Sequence, residues 1–522
     1  MAAPPWLAWL GVLLPVFFAA LVYMALRPPS VDLAAQMFRS ELFASHGFLS
    51  WNNYWYGGHH LPGYSLLFPP LGAAVGATVV GGLAAVGSTA LFGTMADRVY
   101  GPRARLATLW FGAGTIATLL SGRLTFALGV AVGLAALLAL QRGRPGIAAP
   151  LAVATSLASP VAGFFLVLIG GALGLAGSRR DGATLAASAA APIALMSLAF
   201  PGAGSEPFAA SSLAGTLAVT VAVWLLLPRR ERLLRWGIVL YACAVLLIFV
   251  VPTPLGGNVV RLSNLLAGPV LALGLAGSRR FLVLALCAVP LLYWQWHGAV
   301  RDFSRAAGDP SVEREFYAPL LAELDRRAGG APVRIEIPPT LDRWEAYYVS
   351  PEFMLARGWM RQLESDELKL FRSHLTPATY RAWLRAHGVS YVALPDARLD
   401  YIAKREAALV KGGLPYLELI WSSRDWRLYE VRGATGLVDT PLRLTSLGVD
   451  WFELRAPQAG LFKLRIHFNA YWTLSGGAVA CLRERGPWTL VEVSRPGRLH
   501  VGTGLSADGL LGRHRVCSER VG

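Results

Sequence analysis

In residues 1–297 nearly every charge belongs to one of five arginine-rich clusters. The exceptions are Arg27, Asp32, Arg39, Glu41, Arg123, Glu206 and Arg261. Charges isolated among apolar segments are costly to desolvate and are therefore candidates for function. Their types suggest a specific chemistry. A carboxylate such as Asp32 can take a proton from an attacking hydroxyl. Guanidinium groups such as Arg261, Arg123 and Arg39 can hold a phosphate through paired N–H donors. A second group of candidates lies a little further on, in the aromatic, glycine-rich stretch Asn52–Tyr64: Asn53, Trp55, Tyr56, His59 and His60. Their rings and amides are suited to holding a sugar. Glu345 and Trp359 carry the same possibility much later in the chain.

The elements that position these residues follow from composition. The 522 residues hold 48 Lys+Arg against 32 Asp+Glu and are 54% hydrophobic. Residues 1–297 contain 17 Arg, no Lys and 6 acids, whereas residues 298–522 are charged like an ordinary soluble domain. That asymmetry excludes a single soluble globule and a disordered chain. It predicts a polytopic helical membrane part followed by a soluble C-terminal region, with boundaries 1–297, 298–435 and 436–522. The clusters are Arg98/Arg103/Arg105, Arg142/Arg144, Arg179/Arg180, Arg229/Arg230/Arg232/Arg235 and Arg279/Arg280. They fall between apolar runs in the pattern of cytoplasmic loops. Eleven spans result, with the N-terminus inside and the C-terminal region outside. The lone charges then all fall on the outer side. No basic stripe with interleaved aromatics marks a nucleic-acid groove.

The first outer loop, 27–77, is the informative one. Ser30 or Asp32 can cap a helix over 32–45, on which Asp32, Gln36 and Arg39 share one face and Glu41 points the other way. Leu66–Ala77, broken by Pro69-Pro70, is too short to span and reads as surface-lying or re-entrant. Each candidate also has a structural reading: Asp32 as a helix cap, Arg261 as an interface residue, Arg123 as a hairpin stop, the aromatics as an interfacial belt. His59 and His60 have no third ligand nearby, so a metal is not supported.

In the second part, APVRIEIPP at 331–339 and VSYVALPDA at 389–397 read as strands, Pro377–His387 and Ala397–Lys411 as helices, and 436–522 as a small antiparallel β-sandwich. Cys481 and Cys517 lie in that last segment, where a disulfide is permitted but not required.

A single N-terminal anchor, a long first outer loop with an acidic residue just past the membrane, and an exported C-terminal domain resemble the GT-C class of membrane glycosyltransferases. The string VDLAAQMFRSELFASHGFLSWNNYWYGGHHLPGYS at 31–65 is similar to the first loop of an actinobacterial GT-C-like group. That group includes proteins labelled as related to 6-pyruvoyl-tetrahydropterin synthase. SGRLTFALG at 121–129, GGNVVRLSNLLAGP at 256–269 and WEAYYVSPEFMLARGWMRQLE at 344–364 resemble its later segments. The resemblance implies a polyprenyl-phosphate sugar donor, with arabinofuranose or mannose as the expected sugar, and a cell-envelope glycan, lipid or protein acceptor. It implies residence in the bacterial cytoplasmic membrane. By position Asp32 becomes the catalytic base, and Arg261, Arg123 and Arg39 become the donor-phosphate ligands. The class's Asp-x-Asp metal pair is missing from this loop, and no cofactor is expected. The rival readings are a carrier of lipid-linked sugars and a non-catalytic envelope scaffold.

Overall fold

The computed structural model describes residues 5–276, 280–364 and 367–518. Arg279 of the fifth basic cluster and the first and last four residues of the chain lie outside the described residues. The chain forms two compact units. The first comprises Met1–Gly47, Gly63–Ser197 and Gly204–Ala307; the second comprises Phe48–Pro62, Leu198–Ala203 and Gly308–Gly522.

The first unit is helical: α1 (Pro5–Leu26), α2 (Leu33–His46), α3 (Phe68–Val75), α4 (Ala77–Tyr100), α5 (Ala104–Leu120), α6 (Leu124–Gln141), α7 (Pro145–Ala158), α8 (Pro160–Leu175), α9 (Arg179–Ala199), α10 (Ala210–Leu226), α11 (Arg232–Val250), α12 (Arg261–Leu275) and α13 (Phe281–Ala306). All eleven expected apolar runs are helices, and the short pieces α2 and α3 fall in the first loop. Among the described residues seven stretches are long and apolar enough to cross a membrane, one of them containing both α4 and α5. α7, α8 and α10 are apolar but shorter. The chain is thus a multi-pass membrane protein.

Local chemistry sets the helix boundaries. Pro145 and Pro160 start α7 and α8, where a missing N–H costs nothing. The Ser159 hydroxyl accepts the amide of Ala162 to cap α8. α8 and α9 meet backbone to backbone at Gly170 and Gly182, where an added Cβ would lie 2.4–2.7 Å from the facing backbone. Close approach through small residues is the usual means of packing helices in lipid. α13 runs nine residues beyond the expected end at 297. Its last turns carry Arg301, Asp302 and Arg305, so the helix continues past its apolar run as a charged extension.

The second unit contains a short hairpin, a five-stranded mixed sheet and a pair of four-stranded sheets. A short hairpin, β1 (Trp51–Asn52) and β2 (His59–His60), belongs to it although its sequence falls within the expected first loop. The reason is aromatic packing: Trp51 meets the ring of Trp472 edge-on, and the amide of Asn53 donates to the carbonyl of Val449 at 2.7 Å. The mixed sheet contains β3 (Arg334–Glu336), β4 (Met354–Leu355), β5 (Val389–Pro395), β6 (Leu417–Ser422) and β7 (Trp426–Val431), in the order β4-β3-β5-β7-β6. α14 (Arg314–Ala328), α15 (Glu345–Tyr348), α16 (Pro377–His387) and α17 (Lys404–Lys411) accompany it.

The helix expected over Ala397–Lys411 covers only 404–411. The preceding turn is held to the chain after β3: the amide of Asp400 donates to the Pro339 carbonyl, and the Asp400 carboxylate receives Arg343 at 3.2 Å and Arg361 at 2.7 Å. Arg343 also forks onto Glu364 at 2.7 and 3.0 Å. Arg357 binds both Glu336 and Glu406, and Glu406 accepts the Tyr380 hydroxyl at 2.7 Å. Desolvated charges survive here because each has hydrogen-bonded partners of opposite sign.

The remaining strands are β8 (Arg443–Leu447), β9 (Phe452–Ala456), β10 (Gly460–Leu464), β11 (Trp472–Gly476), β12 (Val479–Arg485), β13 (Trp488–Arg495), β14 (Gly497–Thr503) and β15 (Arg515–Cys517). They form two four-stranded antiparallel sheets, β10-β13-β12-β15 and β11-β14-β9-β8, around a core that includes Phe452, Leu464, Trp472, Leu482 and Val501. Cys481 and Cys517, directly opposite on β12 and β15, are disulfide-bonded. Cys243 and Cys287 are free. Denatured protein should therefore take up two alkylating groups without reductant and four after reduction, which intact-mass measurement will read directly.

Candidate functional site

The site is assembled inside the first unit from three helix ends. Asp32 stands at the N-terminus of α2, the position of a helix cap, but its side chain makes no capping hydrogen bond. Its Oδ2 instead faces Arg261 Nη2 at 3.4 Å and Arg123 Nε at 3.8 Å. The helix-cap reading of Asp32 therefore fails in the geometry. Asp32 and Arg261 side chains retain 15% and 14% of their exposure, so the cluster is largely withdrawn from bulk water yet reachable.

Each partner has a local reason for its place. Arg123 follows Gly122 in the tight connection between α5 and α6. Gly122 adopts φ +69°, and a Cβ there would lie 2.4 Å from Ser30 Oγ and 2.6 Å from the Leu33 amide nitrogen. Only glycine lets this turn press against the start of α2, and that contact brings Arg123 to Asp32. Arg261 is the first residue of α12, reached through the 3₁₀ turn Gly256–Val260. Gly256 in turn packs on the Glu206 backbone, and Glu206 is within electrostatic reach of Arg261. Glu206 is half-buried.

Arg39 lies farther along the same face of α2. Its guanidinium sits over the Tyr64 ring, 4.2 Å from the centroid, and Gln36 Nε2 donates to the Tyr64 hydroxyl at 3.0 Å. Burial pushes Arg39 down to about 10, with the Tyr64 phenol opposing, so it is cationic at neutral pH. Burial raises Tyr64; the Asp32 charge adds to this, while Arg261 and Arg39 oppose it. Tyr64 was not among the sequence candidates. Its only signal was its place at the end of an aromatic stretch, which composition alone could not connect to residues 25–30 positions earlier. Glu41 is exposed on the opposite face, as the helical spacing predicts.

A cavity of about 730 Å³ lies in the same unit, between α4, α6, α8, α10, α11 and α12. Its walls are almost entirely apolar, including Phe92, Leu134, Val223, Leu266 and Val270. Leu262 and Ser263, the residues after Arg261, line one end, and Tyr100, Arg230, Glu231 and Arg232 also line it. From Leu262 to Leu273 it follows α12 for about 16 Å.

The other sequence candidates belong to the second unit, where each has packing partners. Trp55 is fully buried, donates to the Ala346 carbonyl at 3.1 Å and stacks on His59 at 5.5 Å. Tyr56 reaches Glu364 at 3.4 Å, and Asn53 donates to the Gly448 carbonyl at 3.0 Å. His60 meets the Trp51 ring edge-on, and burial lowers it to about 4. Trp359 is half-buried. Glu345 is buried and accepts the Thr340 hydroxyl.

No family model and no curated protein sequence matches the chain. Among solved structures it is similar to ArnT from Cupriavidus metallidurans bound to undecaprenyl phosphate, at 12% identity and a TM-score of 0.43, over 83% of this chain and 99% of that one. A likeness of that degree carries no argument about the site, and the functional reading rests on this chain's own residues.

Burial raises Glu345 to about 7, so the folded protein holds a proton there that the unfolded chain releases above its ordinary value. Between that value and about 7 the folded state binds more protons, and stability must fall as pH rises. Glu345→Gln removes this dependence. The variant should gain on the parent protein with rising pH by up to about 3 kcal/mol, read as a difference in thermal unfolding between pH 5 and 8.

Proposed function

We propose that the protein is a GT-C-type membrane glycosyltransferase that moves a sugar from a polyprenyl phosphate to a hydroxyl-bearing acceptor. The observation that carries this reading is the uncapped Asp32 carboxylate held between two guanidinium groups beside a long apolar cavity. A polyprenyl chain needs an apolar slot of this kind, and its phosphate needs cations where the slot ends.

The charges fit the reaction. A phosphodiester donor carries one negative charge. In the reaction the acceptor oxygen bonds to the anomeric carbon, the bond from that carbon to the phosphate oxygen breaks, and Asp32 takes the acceptor proton. The lipid phosphate leaves as a dianion, so the total charge is unchanged, and a direct displacement inverts the anomeric centre. Because the leaving group is already a weak base, no general acid is required; glycoside hydrolases need a second carboxyl for that task. Arg261 and Arg123 connect the two events. While Asp32 is ionised it attracts both guanidiniums; once protonated, it releases them as the departing phosphate gains charge. Preorganised cations matter most where charge develops in a partly desolvated site.

Orientation follows from the same residues. The described basic clusters occupy one set of helix ends in the first unit, and Asp32, Arg123 and Arg261 occupy the alternate set. Under the positive-inside tendency the clusters are cytoplasmic. The site then faces outward from a bacterial cytoplasmic membrane, with eleven crossings and the C-terminal region outside. Arabinofuranose and mannose are the donor sugars to try first, and the acceptor is a cell-envelope glycan, lipid or protein.

A second reading, a carrier of lipid-linked sugars, draws on one observation: the cavity extends from Ser263 to Arg230, Glu231 and Arg232. The two readings part on Asp32→Asn. In proteoliposomes supplied with radiolabelled polyprenyl-phosphate sugar, transfer should fall by about 10²–10⁴-fold. Transfer at the parental rate would falsify the base assignment, and lipid translocation without any transfer would favour the carrier. Arg261→Lys keeps the charge but loses the fork. It should lower kcat/KM by about ten-fold or more, and kcat more than substrate affinity.

A further inference from the structure

The sheet β11-β14-β9-β8 has one face in the sandwich core and one in solvent. On the solvent face, Arg443 of β8 is directly opposite Arg455 of β9, and Arg455 is directly opposite Arg498 of β14. Three exposed arginines thus form one row across three adjacent strands. Neighbouring residues in such ladders have Cα atoms roughly 4.5–5.5 Å apart, so the row covers about 10 Å. Like charges facing one another across strands are destabilising. Among the described residues no carboxylate lies within ion-pair distance of any of the three, whereas Arg483 and Arg515 on the other sheet share Glu492 at 3.0 and 3.3 Å.

The same face continues with groups suited to sugars. In the next row Glu453 faces His500, and His500 faces Ser475. His500 stacks on Trp451 at 5.7 Å, and Thr445 and Thr473 are exposed on the flanking strands. The Trp451 ring is held flat against Gly448, where a Cβ would lie 2.2 Å from the indole nitrogen. We propose that this face, with the Arg443–Arg455–Arg498 row at its centre, binds an acidic polysaccharide bearing carboxylate or phosphate groups. Planar guanidiniums at ladder spacing present paired donors to successive anions, and the hydroxyls and the Trp451–His500 stack accept the intervening sugar rings. An anionic lipid surface fits less well. Such surfaces take basic faces that also carry several large apolar side chains, whereas this face sets the acidic Glu453 beside the Trp451–His500 stack. The inference does not depend on the transferase reading.

The test uses full-length protein in detergent and immobilised polygalacturonate, its fully methyl-esterified form and a phosphomannan, with binding followed by interferometry. The parent should bind at least one of the two acidic polymers. The ester should bind about ten-fold more weakly or worse, and binding should weaken with added salt. Preference for the first or the third polymer tells whether carboxylate or phosphate is the recognised anion. The triple variant R443Q/R455Q/R498Q should lose about ten-fold or more in affinity. R483Q/R515Q on the other sheet should bind like the parent, and all three substituted residues are exposed, so equal melting temperatures verify folding. The proposal is overturned if the triple variant binds as tightly as the parent. It is equally overturned by equal binding of the ester, by failure to bind either acidic polymer, or by arginine-dependent binding to phosphatidylglycerol vesicles alone.

Discussion

The first unit is organised around a carboxylate shared by two guanidiniums. In a bundle with few buried charges, bringing Asp32, Arg123 and Arg261 together compensates the cost of withdrawing each from water. It also constrains the rest. α12 must begin at Arg261, the α5–α6 turn must lie against α2, and a glycine must stand at 122 for that contact to exist. Arg39 and Tyr64 extend the cluster along α2 and leave it with more positive than negative charge, an arrangement that suits an anionic ligand.

Much of this could be read from the chain alone. Eleven apolar runs separated by arginine clusters gave the helix positions, because hydrophobic length and basic punctuation act locally. The shared face of Asp32, Gln36 and Arg39 followed from helical period, and the structure joins Gln36 and Arg39 through Tyr64. Isolation of charge singled out Asp32, Arg123 and Arg261, which lie as many as 229 positions apart yet meet. What could not be read was anything that depends on tertiary contact. Tyr64 looked like one more aromatic. The stretch around Asn53, Trp55, Tyr56 and His59 has the composition of a ligand loop, but its side chains are engaged by the second unit's own packing. Composition cannot distinguish an aromatic that waits for a ligand from one that anchors a hairpin.

The second unit handles charge differently. Its mixed sheet buries arginines and carboxylates in closed networks around Arg343 and Arg357, each with several partners. Its sandwich leaves Arg443, Arg455 and Arg498 in an open row. A buried, ion-paired charge is committed to the fold, whereas an exposed, unpartnered one is available to a ligand. Number and type of arginine are alike in the two places, and only the surroundings separate the roles.

The uncapped start of α2 has one more consequence. A carboxylate at that position would ordinarily strengthen its helix by bonding the first-turn amides, and Asp32 does not. Helix capping and the ion pairs to Arg261 and Arg123 therefore compete for a single side chain, and here the ion pairs hold it. In the proposed transferase role, heat resistance and turnover should trade against each other at this residue.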